Sequence, residues 1–134
     1  MPAPMTLFDL AQRGMSAQLV RMNAASSNLA NAGSVSGSED GAYRPIRPVF
    51  AEELDARTSL ATVRVQGVLR ESAAPIKEHN PDHPLADKDG NVWTAPVDEN
   101  AEMVEMLDSA RQYQNLVEAL STAKQLMLDT MRLR

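Results

Sequence analysis

Cysteine is absent from the 134 residues, which excludes disulfides, thiolate metal sites and cysteine nucleophiles and leaves either redox compartment open. Aromatic residues are nearly absent as well: two Phe, two Tyr and one Trp. Large rigid side chains normally fill a compact centre. In their place stand eight Met and many Ala, a set suited to seams that adapt to several partners. No run of Lys or Arg makes a basic face, and the formal net charge is −5. Phosphate backbones are bound by clustered cations, so no nucleic-acid partner is expected. No apolar stretch approaches the roughly 20 residues needed to cross a bilayer, so the chain is not expected to be an integral membrane protein. The opening stretch, Met1-Pro2-Ala3-Pro4-Met5-Thr6-Leu7-Phe8-Asp9, lacks a basic segment followed by an apolar one, and a cleaved secretory signal is not expected.

What the chain does have is two amphipathic segments at its ends. The first runs from about Thr6 to Asn31 and opens on Thr6-Leu7-Phe8-Asp9, a hydroxyl and an acid placed to satisfy the free N–H groups of a first turn. Phe8, Met15, Met22 and Leu29 recur every seven residues, with Ala11, Gln18, Ala25 and Ala32 in the companion position. A strict seven-residue repeat keeps one stripe facing a partner helix. Gly14 inside this segment costs about 1 kcal/mol relative to Ala, so the helix is weak alone.

The second segment runs from about Asp98 to Leu133, acidic at its start and closed by Arg132 and Arg134, the order that complements a helix dipole. Its seam reads Met103, Ala110, Val117, Lys124 and Met131 in one position and Met106, Tyr113, Leu120 and Met127 in the other. Leu107, Leu116, Leu126 and Leu128 lie beside it. One partner helix cannot cover so wide a face, and a second set of contacts is implied.

Between the helices, residues 33–41 read as a flexible Gly/Ser linker. Tyr43–Phe50 is strand-like, but Pro45 and Pro48 confine it to a sheet edge or an extended arm. Val63–Arg70 alternates as a half-buried strand with a bulge expected at Gly67, and Val92-Trp93-Thr94 reads as a short strand after the Asp89-Gly90 turn. The expected architecture is therefore mainly α with a small β insert. It comprises an N-terminal coiled-coil helix within residues 1–32, a linker, small β element and loops over 33–97, and a C-terminal coiled-coil helix over 98–134. The two helices pair antiparallel.

Candidates for chemistry are few. His79, Asp82 and His83 offer donors that suit zinc or manganese and would make a metal-dependent hydrolase. However, Pro81 and Pro84 deny the helix that would align the two rings. Asp87-Lys88-Asp89-Gly90-Asn91 resembles part of a calcium loop, yet the acid wanted two residues earlier is Leu85, so it reads as a turn. No nucleophile elbow or phosphate loop is present. No cofactor is expected, and the chain reads as a self-assembling structural subunit rather than an enzyme. A coiled-coil adaptor that binds partners without polymerising is the other non-enzymatic reading.

Ser26-Ser27-Asn28-Leu29-Ala30-Asn31-Ala32 resembles the signature near the N-terminus of bacterial flagellar axial proteins, the rod, hook and hook-associated subunits. Gly14–Gln18, Arg21-Met22-Asn23, Tyr43-Arg44, the loop Asn80–Gly90, and Glu102–Met106, Ala110–Gln114 and Thr122–Leu128 extend the resemblance over nearly the whole chain, toward the proximal-rod members. It implies a structural role in a hollow torque-transmitting rod that crosses the periplasm, partners that are copies of the chain and other rod subunits, and passage through the flagellar type III export apparatus without a cleaved signal. The assembly interface expected on this basis comprises Phe8, Met15, Met22, Asn28, Leu29, Asn31, Met103, Met106, Tyr113, Leu120 and Met127. Its helices are expected to be largely mobile before assembly. Asn28 and Asn31 are expected to end the first helix in left-handed geometry and to touch a neighbour.

Overall fold

The computed structural model describes residues 3–134; Met1 and Pro2, part of the stretch read for a signal, lie outside the described residues. The elements are α1 (Leu7–Ala30), β1 (Val35–Ser36), β2 (Ile46–Asp55), β3 (Leu60–Arg70), β4 (Ile76–His79), β5 (Asn91–Thr94) and α2 (Glu99–Arg132). α1 starts on a complete capping box. Thr6 Oγ1 accepts from the Asp9 N–H at 3.1 Å and the Asp9 carboxylate accepts from the Thr6 N–H at 2.8 Å. α2 is capped by Asp98, whose carboxylate takes the N–H groups of Asn100 and Ala101.

The two terminal helices are as expected, but the class is not mainly α with a small insert. Helix makes up 44% and strand 23%, and the strands form two antiparallel sheets, so the β structure is a full partner to the helices. One sheet has the order β1-β5-β4; the other is the long β2-β3 hairpin. The hairpin is longer than its sequence pattern implies because Ala51-Glu52-Glu53-Leu54, within β2, has helix-favouring composition, and cross-strand pairing of Glu53 with Thr62 and Leu54 with Ala61 overrides it. Pro48 fits inside β2 because each strand of a two-stranded ribbon has one unpaired edge, where proline is tolerated. The register shifts between Val49↔Gly67 and Phe50↔Val65, leaving Gln66 as the extra residue beside the expected Gly67.

Residues 33–41 are not a loose linker. β1 adds an edge strand to β5, Ser36 Oγ accepts from the Ser38 N–H at 3.3 Å, and Ser38 Oγ accepts from the Gly41 N–H at 3.1 Å. Short serines that close their own turns give this segment order that its composition hides. A Cβ at Gly37 would sit 2.8 Å from the Leu85 carbonyl oxygen, so the close approach of these two loops requires glycine there.

α1 is the spine, since α2 and both strands of the hairpin all pack on it. Gly14 meets Leu116 and Arg21 reaches Glu105 and Asp108, so α1 and α2 run antiparallel. Along α1 the hairpin also runs antiparallel, from Asn28 beside Ile46 to Arg13 beside Glu53 (3.2 Å) and the Met5 N–H on Asp55 (2.9 Å). At the far end, Arg47 of β2 bonds the Glu71 carboxylate at 2.6 Å and also grips Glu102 in the first turns of α2. Glu102 is only 1% exposed. Its hydrogen bond to Arg47, with that of Glu71, pushes the guanidinium above its ordinary pKa.

Replacing Arg47 with Met leaves Glu102 buried without its cation. Chemical denaturation should show a loss of about 3 kcal/mol, the low end for a broken pair because Arg47 is partly exposed, and the Arg47→Met/Glu102→Met double variant should recover most of it. A second expectation concerns acid. Asp9 is held below the ordinary carboxylate range first by the Thr6 backbone N–H, and Asp55 first by the Met5 N–H. Depressed carboxylate values stabilise above the unfolded value of about 3.9 and lose that contribution as pH falls through the lower folded value. The amide resonances of Met5, Thr6 and Asp9 should therefore hold at pH 5 and shift together below about pH 4, as the α1 cap and its tie to the hairpin release.

Candidate assembly surface

A helix buries one row of residues against one neighbour and two rows against two. α1 has two covered rows: Leu10, Gly14, Ala17, Arg21, Ala24 and Asn28, and beside them Ala11, Met15, Gln18, Met22, Ala25 and Leu29. Small residues dominate the most buried positions, with Ala17, Ala24 and Ala25 each under 5% exposed. On α2 the covered row is Glu102, Met106, Ser109, Tyr113, Leu116, Leu120 and Ala123, spaced four and three. The position expected at Met103, Ala110, Val117 and Lys124 is thus shifted by one residue onto Glu102, Ser109, Leu116 and Ala123. Polar Glu102 and Ser109 hid that register. Ser109 closes onto its own helix, its hydroxyl donating to the carbonyls of Glu105 and Met106, while Glu102 is matched by Arg47.

The residues expected at the interface divide into three groups. Met15, Met22, Leu29, Met106, Tyr113 and Leu120 are half-buried inside the subunit. Phe8, Met103 and Met127 are exposed, Met103 to 50%. Asn28 and Asn31 serve the chain itself. Asn28 is wholly buried, and its amide pairs with both backbone groups of Ile46: Nδ2 donates to the Ile46 carbonyl at 3.0 Å and Oδ1 accepts from the Ile46 N–H at 2.9 Å. Oδ1 also accepts from the Tyr43 hydroxyl at 2.7 Å, whose oxygen lies 3.2 Å from Ser27 Oγ. The side chain thus acts as a strand fragment on the edge of β2. Asn31 does cap α1, but at φ −106° rather than in left-handed geometry; its Nδ2 donates to the Ser27 carbonyl at 2.9 Å. The clasp made by Asn28 is not visible in the sequence, where the residue reads as a helix terminator, whereas Asn31 ends α1 as its position implies. The partner that reveals the first, Ile46, is eighteen residues away.

The His-bearing loop folds on itself. His79 Nδ1 lies 3.3 Å from Asn91 Oδ1, His83 Nδ1 accepts from the Leu85 N–H at 3.0 Å, and the Asp87 carboxylate takes the N–H groups of Asp89 and Asn91. Gly90 adopts φ +77° with Pro81 and His79 packed against it. Among the described residues no three His, Asp or Glu side chains converge where an ion would sit, so His79, Asp82 and His83 do not form the constellation a metal hydrolase needs.

What the subunit offers outward is apolar. About a quarter turn from the covered row, α2 exposes Met103, Leu107 (65%), Val117 and Leu128. Past Ala123, α2 overhangs the start of α1, and Leu126, Met127, Met131 (68%) and Leu133 are all exposed. The covered row continues there through Met127 and Met131 with nothing on it. Across the rest of the surface, Leu54, Val68 and Leu69 of the hairpin are also exposed. Among the described residues no helix is long and apolar enough to cross a membrane.

Two family models match. One described as "Flagella basal body rod protein" covers residues 8–37, that is α1 and β1, and one described as "Flagellar basal body rod FlgEFG protein C-terminal" covers residues 88–133, that is β5 and α2. The flagellar basal-body rod protein FlgC of Salmonella typhimurium is 42% identical over 134 residues, 98% of each chain. The protein of the same name from Escherichia coli O157:H7 is 41% identical over 132 residues, again 98% of each. That from Aquifex aeolicus is 34% identical over 120 residues, 89% of this chain and 88% of its own.

Asn28→Ala strips the Ile46 backbone and the Tyr43 hydroxyl of a buried partner. The expected loss is about 2–4 kcal/mol, given roughly 1–3 for each group left unsatisfied, and thermal melting should fall by about 10 °C. Tyr43→Phe, which removes one bond of the set, should cost about 1 kcal/mol. A melting curve unmoved by Asn28→Ala would show that the amide clasp is not structural.

Proposed function

The chain belongs to the family of flagellar basal-body rod proteins, and on that premise we propose that it builds the proximal rod, adding copy by copy through its terminal helices to a hollow axial tube that transmits motor torque. It is a structural subunit of the basal-body rod. Its partners are other rod subunits and further copies of itself. It reaches the periplasmic rod through the flagellar export apparatus, and its work is mechanical rather than catalytic.

The observation that carries this reading is the imbalance between interior and surface. Val92 is the one large aliphatic side chain fully enclosed among the described residues; the other buried apolar residues are alanines and the prolines Pro45 and Pro75. Meanwhile eighteen large hydrophobic side chains among the described residues are exposed. Burying each large one is worth about 1.5–3 kcal/mol, set against roughly 1–2 kcal/mol for each backbone residue that orders. The subunit is thus half of a core whose other half belongs to its neighbours. Phe8, Met103 and Met127 remain available for them, whereas Met15, Met22, Leu29, Met106, Tyr113 and Leu120 are already partly engaged within the chain. The segment after Ala123, uncovered by α1, is mobile in the free subunit and orders as copies add.

Leu107→Asp and Met131→Asp test this, since neither residue supports the isolated fold. Each variant should melt within about 2 °C of the parent, in keeping with the small effect of surface changes, yet be missing from purified basal bodies and leave cells non-motile. Normal rods and swimming with both substitutions in one chain would refute the assembly surface. Absence of the parent protein from basal bodies would instead favour the non-polymerising adaptor.

A further inference from the structure

β1 is an outer strand of the β1-β5-β4 sheet. Val35 stands opposite Thr94 and Ser36 opposite Trp93, while the Ala95 N–H donates to the Ser34 carbonyl at 3.1 Å. In an antiparallel pair this alternation turns both backbone groups of Val35 away from β5. Neither group has a partner among the described residues. An unpaired edge of this kind is a template for one more strand.

That edge lies in a cleft of about 520 Å³, which Val35 lines together with Tyr43, Arg44 and Arg70. Arg13, Arg21, Arg47 and Arg64 each reach a carboxylate of the chain. Arg44 and Arg70 reach none among the described residues, although acids outnumber bases by 18 to 13. Arg70 is held in place, with its guanidinium 5.6 Å from the centre of the Tyr43 ring and an N–H donated to the Arg44 carbonyl at 3.2 Å. The Arg44 guanidinium makes no hydrogen bond among the described residues. Neither arginine caps α1, whose last carbonyls accept from the N–H groups of Asn31, Ala32 and Ser34. Asp40 also borders the cleft and offsets one of the two charges, which leaves a surplus of one. A single carboxylate matches that surplus, and guanidinium forks hold carboxylates through paired, charge-assisted hydrogen bonds.

We propose that the cleft takes an extended acidic peptide of another protein, which adds a strand to β1 at Val35 and places a Glu or Asp carboxylate between Arg44 and Arg70. Main-chain hydrogen bonds supply the attachment, and the two arginines supply the preference for acid. The inference goes beyond the rod reading and does not rest on it, since it uses none of the exposed apolar residues of α2.

Fluorescence anisotropy of the full chain with a labelled, end-blocked heptapeptide alternating Glu and Val provides the test. Saturable binding is expected, and it should be lost when Gln replaces Glu in the peptide. Arg44→Gln and Arg70→Gln should each weaken binding about tenfold, the scale of a hydrogen bond to a charged group. Arg44→Gln removes no internal bond, so it carries the test even where Arg70→Gln disturbs the fold. A fully N-methylated version of the acidic peptide keeps its charges but cannot pair as a strand, and it should bind about tenfold more weakly.

The proposal is overturned by a parent chain that binds no acidic peptide or binds the Gln peptide equally well. It is overturned as well by an Arg44→Gln chain that binds like the parent. Unchanged binding of the N-methylated peptide would reduce the contact to charge alone and remove strand addition. Self-association of the parent in sedimentation, absent in Arg44→Gln and unaccompanied by peptide binding, would make the occupant a second copy and also reject the proposal.

Discussion

The fold turns on a polar junction in which one end of α1, the base of the hairpin and the start of α2 meet. Asn28 presents its amide to the backbone of Ile46, and the next residue, Arg47, reaches to Glu102. A buried amide or carboxylate without a partner is costly, so each of these groups has essentially one placement it can accept. Apolar contacts tolerate sliding; these do not. With an interior made mostly of alanine, the junction supplies the register that bulky packing supplies in other proteins. A similar division holds along the helix pair. Its polar members, Arg21, Asn28, Glu102 and Ser109, lie toward the junction, while Leu10, Gly14, Leu116, Leu120 and Ala123 at the far end are apolar or small.

How much of this was legible in the sequence depended on how local the cause was. The capping box Thr6–Asp9, the acid-to-base order of α2 and the Asp89-Gly90 turn are decided within a few residues, and they stand where the sequence put them. The long hairpin was read only in part because its pairing competes with local helix preference between Ala51 and Leu54. The covered row of α2 was shifted by one residue because Glu102 and Ser109 carry the wrong polarity for a seam, and the reasons they fit are Arg47, far away in sequence, and a hydroxyl folded onto its own helix. Residues 33–41 looked loose because serine and glycine are the residues of linkers, although they are also the residues that close turns on themselves.

For the site the lesson runs the other way. The excess of apolar side chains on α2 was plain from spacing alone: of the leucines beside its seam, Leu107, Leu126 and Leu128 are exposed while Leu116 lies in the covered row. What spacing could not do was divide that excess between the chain's own partner and the outside. Asn28 and Asn31, the residues that carry the family resemblance, turn out to be spent internally, the first on a strand edge and the second on the last turn of α1. A recognisable motif is therefore here a marker of how the subunit is built, and the outward surface lies in less distinctive leucines and methionines.

The alanine interior has a thermodynamic consequence. Heat-capacity change tracks the apolar area removed from water. The subunit keeps 9153 Å² accessible, where a compact protein of its mass keeps about 6,900 Å². Its unfolding should therefore show a smaller heat-capacity change than its length alone implies, and a correspondingly flatter dependence of stability on temperature.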